Sequence, residues 1–285
     1  MLLCSQIFFA LWVIITKDIT DKEFYAIRDY IKDHYGINLG DEKKSLIYSR
    51  LRTTLIENGF ENFTQYFEHL LKDKSGDAIV RFVDKITTNH TFFMREVDHF
   101  DYLRDHVLPY IEETYSAQKD LRIWCAACSS GEESNTLQMI AQDHFKGKGW
   151  DTQILATDIS TQVLDKAVQS VYSADSVQTV PDKWKKTYFA KINEASYAVT
   201  DEIKKHITYR KFNLMQEKYV FKKKMQVIFC RNVMIYFDNK TRDEVVARMY
   251  EITEPGGYLF IGHSETLNHT NTKYKYVMPA VYRKT

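Results

Sequence analysis

The stretch Leu121–Leu137, "LRIWCAACSSGEESNTL", decides the fold. An apolar run ends in small residues, Gly131 follows, and Glu132 and Glu133 open a segment of helical composition. Strand, tight turn and helix N-terminus form the repeating unit of nucleotide-binding α/β sheets. Dinucleotide folds fill this turn with glycines so that a pyrophosphate can approach the helix start. Here two glutamates stand beside a single glycine, and at close range they repel a phosphate group.

Downstream, the same texture repeats. "TQILATD", "MQVIFCRN" and "GGYLFIG" are short apolar runs, separated by helix-length segments at 132–145, 160–170 and 238–252. Strands alternating with helices predict right-handed crossovers and a mostly parallel sheet. The terminal "AVYRK" is expected to add an antiparallel edge strand. Between Tyr188 and Asn213 the rhythm breaks into short alternating pieces, Tyr197–Val199 and Ile207–Lys211, which predict a small antiparallel insertion at about 188–212. Upstream, Phe24, Ile27 and Ile31, then Leu46, Leu51 and Leu55, recur at helical spacing, with Gly36, Gly40, Gly59 and "KSGD" at 74–77 as punctuation. The expected organisation is an all-α module at 17–85 and an α/β domain at 86–285.

The acidic turn constrains the ligand. S-adenosylmethionine carries a sulfonium and an ammonium against one carboxylate, so a cationic nucleoside suits acids at the turn. Glutamate in a first helical turn is also good helix chemistry on its own. "ILATDIS" ends a second strand at Asp158. In these folds an acid after the second strand holds the ribose diol. Asp158 as the N-cap of the next helix is the other reading.

Composition excludes several classes. A chain of 285 residues with a formal charge of +1 has no global pull toward nucleic acid or anionic membranes. Cys4, Cys125, Cys128 and Cys230 are too few for a disulfide scaffold, so a reducing cytoplasm is expected. The Cys125/Cys128 pair reads as packing, since no second pair completes a metal site. The uncharged leader "MLLCSQIFFALWVIIT" at 1–16 lacks a basic n-region and is too short to span a bilayer. One reading of the leader is that translation starts at Val13, with 1–12 outside the native chain; the other keeps it as native sequence, and no stable membrane insertion is expected.

Six blocks now stand in order: "TTNHTFFMRE" (Thr87–Glu96), "ACSSGEES", "ATDIS", "FNL", "IFCRNVMIYFD" (Ile228–Asp238) and "GGYLFIGHSE" (Gly256–Glu265). Together they resemble the CheR family of chemoreceptor glutamate methyltransferases, from about Ile19 to the C-terminus. The resemblance implies a Rossmann-like S-adenosylmethionine-dependent domain, an N-terminal all-α domain and a small inserted antiparallel β-subdomain. It implies cofactor contacts at Asn89, Thr91, Arg95, Glu133, Asp158, Asn213, Leu214, Arg231 and Asn232, with Arg95 pairing the methionine carboxylate. Arg95 and Tyr236 are the implied catalytic residues, steering the incoming carboxylate. No metal is implied, and His263 has no assigned role beyond structure.

The implied reaction moves a methyl group to a glutamate on the cytoplasmic helical hairpin of a chemoreceptor, in chemotaxis adaptation. A glutamate of reference pKa about 4.3 is already ionised at neutral pH, so no general base is needed. Lys43, Lys44, Arg50 and Arg52 on one helix suit such an acidic partner, or form a solvated polar face. A monomer is expected. Forms that tether a receptor's C-terminal peptide carry a glycine-bearing loop in the insertion. This chain has no glycine between Gly149 and Gly256, so no tether is expected. A non-catalytic S-adenosylmethionine-binding regulator or docking protein of the same fold is the alternative. The blocks depart from the family at Gln226, where an acid is usual, at Ser134–Asn135, where proline is usual, and in "TFFMR".

Overall fold

A computed structural model of the chain describes residues 18–87, 90–268 and 270–285. The chain divides into two compact units between Asn89 and His90. The readings of the leader and of Asn89 fall outside the described residues.

The first unit is helical. Helix α1 (Asp21–Tyr35) begins with a capping box: Thr20 Oγ1 accepts from Glu23 N, and Glu23 returns the bond to Thr20 N at 3.0 Å. It ends at Gly36, whose φ of 72° is the left-handed conformation that stops a helix. The other oxygen of Glu23 accepts from Thr64 N at 3.0 Å, tying α1 to the start of α3 (Phe63–Leu71). Helices α2 (Lys44–Glu57) and α4 (Asp77–Ile86) complete the unit. Its interior holds Phe24, Ile27 and Ile31 from α1, Ile47, Leu51 and Leu55 from α2, and Phe82 and Val83 from α4. Helical spacing selects these positions, except that Ile47 occupies the interior place expected of Leu46, which is half-buried.

The second unit is a seven-stranded sheet covered on both faces. In chain order its strands are β1 (Asp120–Ala126), β2 (Asp151–Asp158), β6 (Ile207–Lys211), β7 (Met225–Cys230), β8 (Thr253–Phe260), β9 (Lys275–Met278) and β10 (Val281–Arg283). Their spatial order is β6-β2-β1-β7-β8-β10-β9, parallel except for β10, which runs against both neighbours. Alternate residues of each central strand feed opposite cores, as pleating requires. Leu121, Ile123 and Cys125 of β1 join Val227 and Phe229 of β7 on one face. Trp124 and Ala126 join Ile228 and Cys230 on the other. Trp124 is fully buried, and its indole Nε1 donates to Thr157 Oγ1 at 2.9 Å, so the polar handle is satisfied.

Two expectations about strands need correction. The terminal strand β10 is not the sheet's edge: β9 lies outside it. The alternating Tyr274–Met278 segment carried the signal for β9. Ile207–Lys211 is not part of the small antiparallel sheet but pairs in parallel with β2. At the edge of the large sheet it buries Ile207 while Thr208, Arg210 and Lys211 stay exposed, which imitates a hairpin strand. The small antiparallel sheet is instead built from β3 (Val171–Ser173), β5 (Ser196–Val199) and β4 (Phe189–Asn193), in that order. Helices α5 (Val97–Tyr102) and α6 (Leu108–Thr114) precede β1, α9 (Asp182–Tyr188) precedes β4 and α10 (Asp201–Lys204) precedes β6. Helices α7 (Glu132–Phe145), α8 (Thr161–Gln169) and α11 (Asn239–Ile252) are the crossover elements after β1, β2 and β7.

Among the described residues, no helix is long and apolar enough to cross a membrane.

Candidate active site

The strand order reverses between β1 and β7, and in open α/β sheets ligands bind beyond the carboxyl ends of strands at such a point. Register aligns those ends: Ala126 lies opposite Thr157 of β2 and Cys230 of β7, and Asp158 lies opposite Lys211 of β6.

The turn after β1 is sharply bent. Ala127, Ser129 and Gly131 have φ of 60°, 48° and 94°. Only glycine fits the last position, because a Cβ there would stand 3.0 Å from both Ala167 Cβ and Tyr172 Oη. Asn135, fully buried, braces the turn by donating to Gly131 O and to Tyr172 Oη, both at 2.9 Å. Tyr172 in turn donates to Ser130 O at 2.8 Å. Ser134 Oγ also donates to Gly131 O, at 3.0 Å. The departure from proline at 134–135 thus supplies polar struts for the loop.

The two glutamates do different things. Glu132 is buried and accepts from Ser130 Oγ at 2.8 Å, and burial pushes its carboxyl up from the ordinary range. Glu133 accepts from Cys125 Sγ at 3.1 Å and faces Arg231 Nη1 at 3.0 Å. Burial raises its carboxyl as well, and the Arg231 guanidinium opposes that rise. At the end of β2, the carboxylate of Asp158 accepts from Ser129 N at 2.9 Å and Ser160 N at 3.0 Å, which fastens the turns after β1 and β2 together. The cap of α8 is Ser160, whose hydroxyl accepts from Val163 N, so capping does not explain Asp158. Backbone continues the rim: Phe212 N donates to Asp158 O at 2.9 Å, bringing Asn213 and Leu214 beside the end of β2.

On the β7 side, Arg231 has a side chain 1% exposed and is held from three directions. It meets Glu133, Glu96 Oε2 at 3.0 Å and the carbonyl of Arg95. Asn232 adopts a left-handed φ of 58°; its N–H donates to Glu265 Oε2 at 3.0 Å and its amide to Glu96 Oε1 at 3.1 Å. Glu265 is buried and also accepts from Ile235 N at 3.0 Å, so it shapes the turn that carries Tyr236. Burial pushes its carboxyl up, against those backbone bonds. Gly262 must be small here, since a Cβ would run into the Asn232 amide.

In the "NHTFFMR" loop, Arg95 donates to His90 O at 2.8 Å and lies 5.9 Å over the Phe92 ring, with its side chain 32% exposed. Thr91 is half-buried in the same loop, and Tyr236 half-buried on the short helical turn Met234–Tyr236. Sequence reasoning missed Glu96 and Glu265. Both stand in quoted blocks, but their partners are backbone N–H groups and side chains far along the chain.

Glu96, His99 and His263 approach one another as three metal ligands would. The geometry speaks against a cation there. The Glu96 oxygen facing His99 already accepts from Arg231 and from His263 N, and a guanidinium adjoins it. Burial, with Arg231 nearby, holds His99 down to about 4, so it is neutral at neutral pH. Cys125, Cys128 and Cys230 are buried free thiols pushed well up by burial, which makes them inert packing groups. Gln226 donates to Asp120 O at 2.8 Å and accepts from Arg122 N at 2.7 Å. An ionised carboxylate in its place has no proton to donate.

Glu96 and Glu133 face the Arg231 guanidinium, and Glu132 and Asp158 add two carboxylates at the turns after β1 and β2. Such a rim suits a cationic nucleoside with an amino-acid end. Fold and rim together define a Rossmann-like, S-adenosylmethionine-dependent methyltransferase. Residues 22–87 match the family model "CheR methyltransferase, all-alpha domain", and residues 89–282 match "CheR methyltransferase, SAM binding domain". The chain is 40% identical to a chemotaxis protein methyltransferase of Borreliella burgdorferi, covering 94% of this chain and 95% of that one. It is 34% identical to chemotaxis protein methyltransferase 2 of Vibrio cholerae, covering 89% and 88%. It is 30% identical to the chemotaxis protein methyltransferase of Escherichia coli, covering 98% and 96%. The chain belongs to the CheR methyltransferase family.

Proposed function

We propose that the chain transfers the methyl group of S-adenosylmethionine to glutamate side chains on the cytoplasmic helical hairpin of a chemoreceptor, giving methyl esters, and that it works as a cytoplasmic monomer. The observation that carries this is the convergence of Glu133, Asp158, Arg231 and Asn232 on one rim at the sheet's switch point. Bound there, the donor supplies an electrophilic methyl group on sulfur. The residues do the rest. Glu133 receives the ammonium, and Asp158 keeps acceptor positions for ribose hydroxyls beyond its two backbone bonds. Asn213 and Leu214 flank the adenosine end and Thr91 the loop that covers it, while Asn89 is assigned to the donor on the family resemblance alone. Arg95 pairs the methionine carboxylate.

A glutamate acceptor needs no base, being ionised already. What remains is alignment of the reacting atoms at about 3–3.5 Å and exclusion of water. Sulfonium and carboxylate both lose charge as they meet, so a dry site favours the transition state. Arg95, with part of its guanidinium exposed, and Tyr236 steer the acceptor. Receptor attraction is assigned to the α2 region. Lys43 is exposed, while Lys44 pairs with Asp21 at 2.6 Å and Arg50 donates to Thr87 O at 2.9 Å. Arg52 is half-buried, so Lys43 carries most of this weak, salt-sensitive term.

The test is transfer of labelled methyl groups from the donor into membranes bearing candidate receptors, followed by release in mild base. Base-labile label at glutamates supports the proposal; label that resists base, or none with donor bound, refutes it.

A further inference from the structure

One carboxylate in the site gathers hydrogen bonds from two remote segments, the turn after β7 and the loop after β8, although no block reading gave it a role. Glu96 follows the "TFFMR" loop with φ of 56°, a left-handed conformation that costs a non-glycine residue roughly 1–2 kcal/mol. Its Oε2 accepts from Arg231 Nη2 at 3.0 Å, Arg231 Nε at 3.3 Å and His263 N at 3.2 Å. Its Oε1 accepts from the Asn232 amide at 3.1 Å. Arg95 Nε lies 4.0 Å away. The side chain is 13% exposed, and Arg231 is the attraction that holds its carboxyl below the ordinary range despite burial.

This arrangement divides the Arg231 guanidinium. Two of its nitrogens face Glu96, and only Nη1 reaches Glu133. Without Glu96, only the Arg95 carbonyl on that side restrains Arg231 from turning its fork onto Glu133, where a bidentate pair is the strongest alternative. The Asn232 amide is released at the same time. We propose that Glu96 is the positioning residue for the donor's amino-acid end: by holding Arg231 and Asn232 from behind, it keeps the Glu133 carboxylate available to an ammonium. This rests on the reading of Glu133, Arg231 and Asn232 as the methionine-end contacts. The adenosine end depends on Asp158, which none of these bonds touches.

The experiment uses the full chain with two probes, S-adenosylhomocysteine and adenosine, titrated calorimetrically against wild type, Glu96→Gln and Glu96→Asp. Loss of a charge-assisted positioning bond predicts an S-adenosylhomocysteine Kd about tenfold weaker in Glu96→Gln, with adenosine within about twofold of wild type. Glu96→Asp keeps the charge one methylene short and is expected to fall between, at about threefold. In methyl transfer, donor KM rises in step, while kcat at saturating donor stays within about threefold. Equal losses for both probes mark Glu96 as merely structural and overturn the proposal, as does no loss for either. If Glu96→Gln fails to fold by circular dichroism, Glu96→Asp decides on the same two ratios. A folded wild type that binds neither probe instead refutes the reading of the site itself.

Discussion

Arg231→Met is the substitution whose consequences follow most directly from the geometry. The side chain is 1% exposed, lies 5.2 Å from the Phe100 ring, and neutralises Glu133 and Glu96, each at 3.0 Å. Methionine fills much of the volume but leaves two buried carboxylates facing each other. Breaking a buried ion pair from one side costs about 3–5 kcal/mol. For a unit of this size each kcal/mol lowers Tm by about 2–4 °C, so a fall of roughly 6–20 °C at pH 7 is expected. The pH dependence has a definite sign. In wild type the Glu133 carboxyl is raised and that of Glu96 lowered, the latter by Arg231. A raised carboxyl loses stability as pH climbs from its unfolded value through the folded one, whereas a lowered carboxyl adds stability above the unfolded value. Removing Arg231 raises Glu133 further and takes away the lowering of Glu96. The gap between variant and wild type therefore widens as pH rises above about 4.5 and narrows in acid. Urea denaturation of both proteins at pH 5 and pH 7 measures it. A variant within about 1 kcal/mol of wild type at pH 7, or a gap independent of pH, refutes the reasoning.

Other predictions use separate parts of the site. Gly131→Ala combines a left-handed φ with a Cβ 3.0 Å from Tyr172 Oη, so a loss of about 2–3 kcal/mol is expected in urea denaturation. Asp158→Asn should weaken adenosine and S-adenosylhomocysteine alike by about tenfold in calorimetry, the opposite of a selective loss at the amino-acid end. Tyr236→Phe should bind the donor normally and lower kcat by roughly ten- to a hundredfold in a single-turnover methylation assay.

The sheet and the turns at its strand ends were largely legible in the sequence, because buried parallel strands and glycine-bearing turns leave local patterns. The runs ending at Ala126, Asp158 and Cys230 fall at aligned strand ends, and the acidic turn opens α7 as its composition implies. What failed to show were edges and long-range partners. An edge strand covered on one face, such as β6, alternates like a hairpin strand, and β9 is only four residues long, so the alternation of Tyr274–Met278 is easily passed over. Glu96 and Glu265 were invisible for another reason. A carboxylate's worth here comes from donors at Arg231, Asn232 and His263, which are remote in sequence and meet only through the strand order. Asn135 and Gln226 looked like departures from a pattern, and their roles as struts appear only with the partners in place.

Underlying every step is the claim that acids at the carboxyl rim of this sheet recognise a cationic methyl donor where related folds recognise phosphate. Calorimetric titration of the folded full chain with S-adenosylmethionine, its demethylated product and an oxidised nicotinamide dinucleotide tests it directly. Saturable binding of the first two and none of the third is expected, with Glu133→Gln weakening both. Binding of the dinucleotide, or indifference to the donor and its product by protein shown to be folded, would contradict it.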